Sequence, residues 1–300
     1  SLQKRWLGAS IQKMELRLVQ MARERYLDPL KQPRGTPPAS PDAPRRARTP
    51  TMAILLIQHS RHSEAGHLGE SLRSFGQRVR TIRLHEGDAL PADLDDVHGV
   101  VSLGGPQSAN DADAWVAHEQ ALLREAHERK IPVLGLCLGA QMLAKALGGE
   151  VTRMASPEVG WVKVRAASIG VEDALFVGIG WEQSVFSSHG EHVSKLPPGG
   201  TVVMKGTACP VQAFRVGPWS YGIQYHPEWT REAILAEIER WSDGELAAAG
   251  TSRDAMRRAT AEHAETAARN ARRMFELANL MLFPASRQQP GLVAPSVVHH

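Results

Sequence analysis

The run Ile131-Pro-Val-Leu-Gly-Leu-Cys-Leu-Gly-Ala-Gln141 constrains this chain more than any other stretch. Ile131 to Leu136 is an apolar run with the length of a buried strand, and Ala140 to Leu147 has the pattern of a helix. Cys137 falls on the corner between them, with Gly135 two residues before and Gly139 two after. This is the G-x-S-x-G strand–turn–helix pattern with a cysteine at the centre. The glycines are explained by space, because a residue held in a tight, positive-φ corner needs neighbours without side chains. The corner lifts the sulfur off the sheet and aims it at the first turn of the helix, where free N–H groups and the positive dipole end favour a thiolate. A lone cysteine in an apolar strand is more commonly a packing residue. The paired glycines favour a nucleophile here. Cys209 has no such flanks and no nearby base motif, so it reads as structural.

Around that corner the chain alternates strand and helix. Strands are expected over Met52 to Gln58, Arg78 to Leu84, Val97 to Leu103 and Ile131 to Leu136. Helices are expected over His67 to Phe75, ended by Gly76, and over Trp115 to Lys130, with Trp115, Ala121, Leu122 and Ala126 facing inward. This order predicts an α/β fold with a doubly wound, mostly parallel sheet and right-handed crossovers. Ligands of such sheets bind beyond the carboxyl ends of the strands, where Cys137 and Gly104-Gly105-Pro106 both lie.

Beyond Gly149 a smaller β-rich portion follows, with strands expected over 150–154, 160–166, 184–187, 201–206, 213–216 and 221–225. Helices are expected over Thr230 to Trp241 and Arg253 to Leu282, and the tail from Phe283 reads as loose. Trp161 and Trp219 fit a core or a pocket wall better than a cofactor platform.

Charge divides the chain. Residues 1–51 hold 11 Lys and Arg against 4 Asp and Glu, a net +7, which leaves −4 on the remainder of a chain whose total is +3. The main body is therefore mildly acidic and gives no electrostatic case for nucleic-acid binding. Leu7, Ile11, Met14, Leu18 and Met21 form one stripe of a basic amphipathic helix, and seven prolines between residues 28 and 50 read as a linker. A docking helix, a targeting segment and upstream sequence from a misplaced start codon compete to explain this extension. Met52, opening the first clear strand, favours the last. The domain reading is an extension over 1–51, a main domain over 52–245, and a C-terminal helix with loose tail over 246–300 that could build a dimer or partner surface. Two cysteines in 300 residues argue against a disulfide scaffold and fit a reducing, cytoplasmic setting. No apolar run reaches the length of a membrane span, and no secretory leader pattern is recognisable.

A thiolate nucleophile needs a base, and Tyr225-His226-Pro227-Glu228 supplies the best candidate. His226 can take the thiol proton and later protonate a leaving amine, while Glu228 fixes its tautomer. His59, His62 and His67 with Glu64 invite a metal-site reading, but their spacing is loose and no second cluster completes it. His59 is expected to line the ligand pocket and the others to be solvated. No metal or cofactor is expected.

Gly-Leu-Cys-Leu-Gly-Ala-Gln (135–141), Gly-Gly-Pro (104–106), Ser-Ser-His-Gly-Glu (187–191) and Gln-Tyr-His-Pro-Glu (224–228) together resemble the class I glutamine amidotransferase family. Within it the chain is similar to stand-alone proteins like the glutaminase domain of GMP synthase. Ile57-Gln58-His59, Asn110-Asp111, Glu158-Val-Gly-Trp161, Leu196-Pro-Pro-Gly199 and Gln212-Ala-Phe-Arg215 fit the same subgroup, so the likeness runs from Met52 to Trp229.

The resemblance implies a flavodoxin-like sheet and hydrolysis of the glutamine side-chain amide through a γ-glutamyl thioester on Cys137. It implies His226 as base, Glu228 as its orienter, and backbone N–H groups of Gly105 and Leu138 as the oxyanion hole. It also implies substrate contacts from Gly104, Gln141 and the backbone of Ser188, His189 and Gly190, without a proton-transfer role for His189. No Gly-x-x-x-x-Gly-Lys or Ser-Gly-Gly-type loop is present, so the acceptor chemistry is expected on another chain. Two other readings stand beside it: a γ-glutamyl peptide hydrolase acting alone, and a binding protein that keeps an idle triad on the same fold. Deleting residues 1–51 is expected to leave melting temperature and activity nearly unchanged; a large fall in melting temperature would make the extension structural.

Overall fold

The computed structural model describes residues 52–284. The expected N-terminal helix and linker, and the tail beyond 284, lie outside the described residues.

One nine-stranded sheet runs through these residues in the order β2-β1-β3-β4-β9-β8-β7-β5-β6. Its first five strands are parallel: β2 (Val79–Arg83), β1 (Ala53–Gln58), β3 (Val97–Ser102), β4 (Val133–Leu136) and β9 (Ser220–Ile223). The β-rich portion continues the same sheet in antiparallel fashion through β8 (Ala213–Val216), β7 (Gly200–Gly206), β5 (Glu150–Ala166) and β6 (Glu182–Lys195).

The period-two alternation of β1 shows how the sheet is covered. Ile54 and Leu56 point to one face, with α1 (Gly66–Ser74) and α6 (Arg253–Met281) upon it. Leu55 and Ile57 point to the other face, against α2 (Ala114–Glu128) and α3 (Leu138–Ala146). Being buried on both sides, β1, β3 and β4 must be apolar nearly throughout, and this is why they are legible as short unbroken runs.

Several boundaries differ from the sequence reading. The stretches 150–154 and 160–166 are one strand, β5, interrupted where its pairing with β6 jumps from Arg153↔Glu191 to Glu158↔His189. Pro157, which has no N–H to give a ladder, sits in that irregularity. β6 extends well beyond Ser187, so Ser188, His189 and Gly190 are strand residues rather than a loop at a strand end. In α2, Leu122 and Ala126 are buried as expected, together with Val116, Glu119 and Leu123, whereas Ala121 is exposed. A short helix, α5 (Asp243–Ala248), follows α4 (Arg231–Arg240), and Ser242 and Glu245 form its capping box.

The C-terminal helix is packed along the sheet. Ala271, Met274, Phe275 and Ala278 of α6 join the core on the α1 side, and Asn279 donates to Ser71 Oγ of α1 at 3.0 Å. Phe283, expected in a loose tail, is fully buried, and Gln77 donates to its carbonyl. Its ring lies over Gly99 of β3, where a Cβ would approach the Phe283 Cδ1 to 2.5 Å. Glycine at 99 is thus the recess that receives the ring. Phe283→Ala is expected to cost about 3–5 kcal/mol of stability, read from urea unfolding of the full chain; a loss under about 1 kcal/mol would show that the ring is dispensable.

Candidate active site

Four loops converge at the carboxyl ends of adjacent parallel strands: residues after β1 (His59), β3 (Gly104, Gly105), β4 (Cys137) and β9 (Gln224 to Glu228). The strand order reverses between β1 and β3, which places the cluster at a topological switch point.

Cys137 has φ 49° and ψ −106°, one of two non-glycine residues with positive φ among those described. Backbone hydrogen bonds hold it there: Cys137 N–H donates to Ile223 O at 2.8 Å, and the Cys137 carbonyl accepts from Ala140 and Gln141 at 3.0 and 3.1 Å. A Cβ on Gly135 would run into the Gly139 carbonyl, and one on Gly139 into the Ser102 carbonyl. Both expected glycine roles are therefore physical contacts with backbone that cannot yield. Cys137 is the N-cap of α3.

His226 Nδ1–H donates to Glu228 Oε1 at 2.8 Å, and both side chains are buried. The ring borders the same cleft as Cys137, whose sulfur contributes to its electrostatics, and it stacks on Trp229, with centroids 3.9 Å apart and planes at 17°. Burial by itself lowers the His226 pKa, but the Glu228 carboxylate and then Cys137 overcome it, so the net shift is upward. The environment thus favours the imidazolium, the partner a thiolate requires.

Gly104 lies between these groups: a Cβ there would meet His226 Cε1 at 3.0 Å and Cys137 Cβ at 3.4 Å. Among the described residues the N–H groups of Gly105 and Leu138 donate no hydrogen bond. Both belong to the wall around the sulfur.

Two clefts meet at Cys137, Gly105, Pro106 and Ser188. One, of about 310 Å³, is lined further by Gln107, Leu138, Gln141, Arg153, His189, Gly190 and Glu191. The other, of about 320 Å³, opens on the imidazole side toward Ser60, His62, Trp229, Glu237, Arg240 and Trp241. Every residue singled out around Cys137 borders one cleft or the other, apart from Glu228, which is hidden behind His226.

Gln141 is more committed than the sequence reading allows. Its amide donates to Glu191 O at 2.9 Å and to Gln224 Oε1 at 3.2 Å. Gln224 in turn places its own amide 3.7 Å from Cys137 Sγ. Sequence reasoning gives Gln224 no role although it opens the 224–228 motif; the signal for it is a polar residue two before His226, directly after an apolar strand. His189 is bracketed by Glu158 Oε2 at 3.1 Å and Glu191 O at 2.9 Å, so its ring braces β6 against β5.

The three histidines of the segment after β1 diverge. His59 is 1% exposed and sits behind the pocket wall, bonded to Glu119; His67 is buried beside Glu70; His62 alone is exposed. Among the described residues no group of three or more His, Cys, Asp or Glu is placed to hold a metal ion. Trp161 is packed edge-on to Phe186 and bonded to Thr260, while Trp219 precedes β9 at the sheet end away from Cys137. Among the described residues no helix is long and apolar enough to cross a membrane.

The sequence and fold have relatives among known proteins. The profile of the family "Glutamine amidotransferase class-I" matches residues 63–238, more than half of the chain. The chain belongs to the class I glutamine amidotransferase family. It is 29% identical over 201 residues to the putative glutamine amidotransferase-like protein YfeJ of Salmonella typhimurium, covering 65% of this chain and 83% of that one. It is 34% identical over 143 residues to a glutamine-hydrolyzing GMP synthase subunit of Pyrococcus furiosus, covering 47% and 72%. Against the glutamine-hydrolyzing GMP synthase of Porphyromonas gingivalis it is 36% identical over 164 residues but spans only 31% of that protein's length. The crystal structure of a glutamine amidotransferase from Methylobacillus flagellatus superposes with a TM-score of 0.72 at 28% identity, over 77% of this chain and 96% of that one.

The two thiols of this family member are unlike. Cys209 is fully buried, and burial, with Glu158 nearby, pushes its pKa up to about 12. Iodoacetamide near neutral pH is expected to label Cys137 in the folded protein and spare Cys209, as read by peptide mass spectrometry; equal labelling would mean that the elbow confers no reactivity.

Proposed function

We propose that this chain hydrolyses the side-chain amide of L-glutamine and delivers the ammonia to a synthetase carried on another chain. The observation that carries the reading is His226, held by Glu228 at 2.8 Å and facing the same cleft as Cys137, which stands where two clefts meet.

The Cys137 sulfur attacks the amide carbon, and the carbonyl oxygen, now negative, takes hydrogen bonds from Gly105 and Leu138 N–H. The C–N bond then breaks, the proton held by His226 goes to the departing nitrogen, and ammonia leaves a γ-glutamyl thioester. Water enters, His226 removes its proton, the C–S bond breaks, and glutamate is released. Glu228 keeps Nδ1 protonated so that Nε2 handles every transfer. The amino-acid portion of the substrate occupies the cleft bordered by Gln141, Ser188, His189 and Gly190. A partner synthetase is supported by the likeness to one subunit of a GMP synthase.

One feature favours a second reading. Ammonia needs roughly the ~30 Å³ of a water molecule, yet the cleft on the imidazole side is about 320 Å³. That space suits the larger leaving amine of a γ-glutamyl peptide, for which no partner is needed.

Cys137→Ala is expected to abolish ammonia release from L-glutamine with little change in melting temperature. Glu228→Gln is expected to lower kcat by ~10²- to 10⁴-fold, since it disturbs the base rather than removing the nucleophile. Turnover retained by Cys137→Ala would remove the thioester mechanism. Amino-acid release from γ-glutamyl dipeptides, with no ammonia from glutamine, would establish the second reading.

A further inference from the structure

We propose that His59, braced by Glu119, is a positioning residue that fixes the plane of the Gly104–Gly105 peptide and thereby aims the Gly105 N–H at the cleft. The proposal rests on the reading that this N–H stabilises the oxyanion.

The peptide between Gly104 and Gly105 is flanked by two residues without side chains, so little steric resistance opposes rotation of its plane. In a planar trans peptide the carbonyl and the following N–H point in opposite directions. Whatever holds Gly104 O on one side therefore sets the direction of Gly105 N–H on the other. The group that does so is His59, whose Nδ1–H donates to Gly104 O at 3.3 Å. The same residue walls the glycine in: a Cβ on Gly105 would stand 2.7 Å from His59 Cβ. Gln107 ties the loop down by donating to the His59 carbonyl at 3.1 Å.

His59 is itself over-determined. Its Nε2 lies 2.8 Å from Glu119 Oε2, and Ser102 Oγ donates to Glu119 Oε1 at 2.6 Å; all three side chains are buried. The ring thus faces a carbonyl on one nitrogen and a carboxylate on the other, both acceptors, which calls for protons on both nitrogens. Burial opposes that state, but Glu119 outweighs burial, and the pKa of His59 is raised above its usual value.

The network also reaches the second candidate donor. Ser102 packs against Gly139, whose N–H donates to Leu103 O at 3.1 Å, immediately after Leu138. A buried ion pair is a weak device for stability alone, since desolvating two charges consumes most of the gain. Holding a soft peptide in one orientation gives this one a use.

The test compares His59→Leu with His59→Asn in the full chain. Both remove the ion pair with Glu119 and share that loss of stability; only Asn keeps an N–H donor close to the position of Nδ1. His59→Leu is expected to lower kcat for L-glutamine by ~10²- to 10³-fold, with KM changed by no more than a few-fold. His59→Asn is expected to recover about tenfold or more of that loss. In protein carrying ¹⁵N-glycine, the Gly105 amide resonance is expected to move in His59→Leu and to return toward the wild-type position in His59→Asn. Equal kcat in the two variants, or a Gly105 resonance unmoved in both, would overturn the proposal and leave His59 a filler of the core. If wild-type protein releases no ammonia, the glutaminase reading falls, and the Gly105 resonance still decides whether His59 sets the peptide. Should His59→Leu fail to fold, Glu119→Gln keeps the volume and loosens the brace, with about a tenfold fall in kcat and the same resonance shift expected.

Discussion

Everything near the sulfur depends on a single strained residue. A non-glycine at φ 49° costs on the order of 1–3 kcal/mol, and it persists only because surrounding backbone leaves no alternative. β9 contributes the acceptor for Cys137 N–H, α3 begins on the Cys137 carbonyl, and β3 presses its Ser102 carbonyl against Gly139. The three contacts come from three separate elements. The elbow is thus a property of the assembled parallel sheet, and no local peptide would hold it.

The sheet in turn is held on both faces by different means. On the α2 and α3 side, α2 lies in the crossover that parallel β3 and β4 require, and α3 follows β4 directly. On the α1 side much of it is α6, which returns from the end of the described chain to lie along strands laid down far earlier. Phe283 seated over Gly99, with Gln77 bonded to its carbonyl, fastens that return. Since β3 carries Gly104 and Gly105 at its far end, the packing of the C-terminal helix bears on the same strand that builds the site.

The parallel strands and the nucleophile corner are legible in the sequence because their physics is local: an apolar run buried on both faces, and glycines at fixed offsets. The antiparallel half is not. β6 carries Ser187, Ser188, His189 and Gly190, which look like a loop until Glu158 of the neighbouring β5 pairs with His189 and accepts from Gln212, the residue just before β8. The same limit hides the helical site residue. Glu119 occupies an inward position of α2, between Trp115 and Leu122 in the stripe, where a carboxylate is costly without a partner. Its partners, His59 and Ser102, are 60 and 17 residues away, and only folding brings them together. A charge on an apolar stripe is the available signal, and it points to a buried network without naming its members. Phe283 escapes for the converse reason: an aromatic beside Pro284 looks like the start of a tail, and the recess that receives it is a glycine in β3.

The placement of the two clefts bears on how reaction and release are separated. Attack on an amide brings the acyl part and the leaving nitrogen to opposite sides of the sulfur's approach, and here the walls differ accordingly. The cleft beside Gln141 is ringed by β6 backbone and by polar groups already bonded to one another, a rigid surface suited to a fixed amino-acid framework. The cleft beside His226 is walled by Trp229 and Trp241 and by the Glu237–Arg240 pair of α4. Its two-sided character, aromatic with one ion pair, leaves room for the amine that in the proposed reaction departs past the imidazole. His226 lines this cleft, stacked on Trp229, which restricts the ring to the plane in which Nδ1 meets Glu228. In the proposed reaction a ring so confined would serve the departing nitrogen and the incoming water in turn with the same nitrogen.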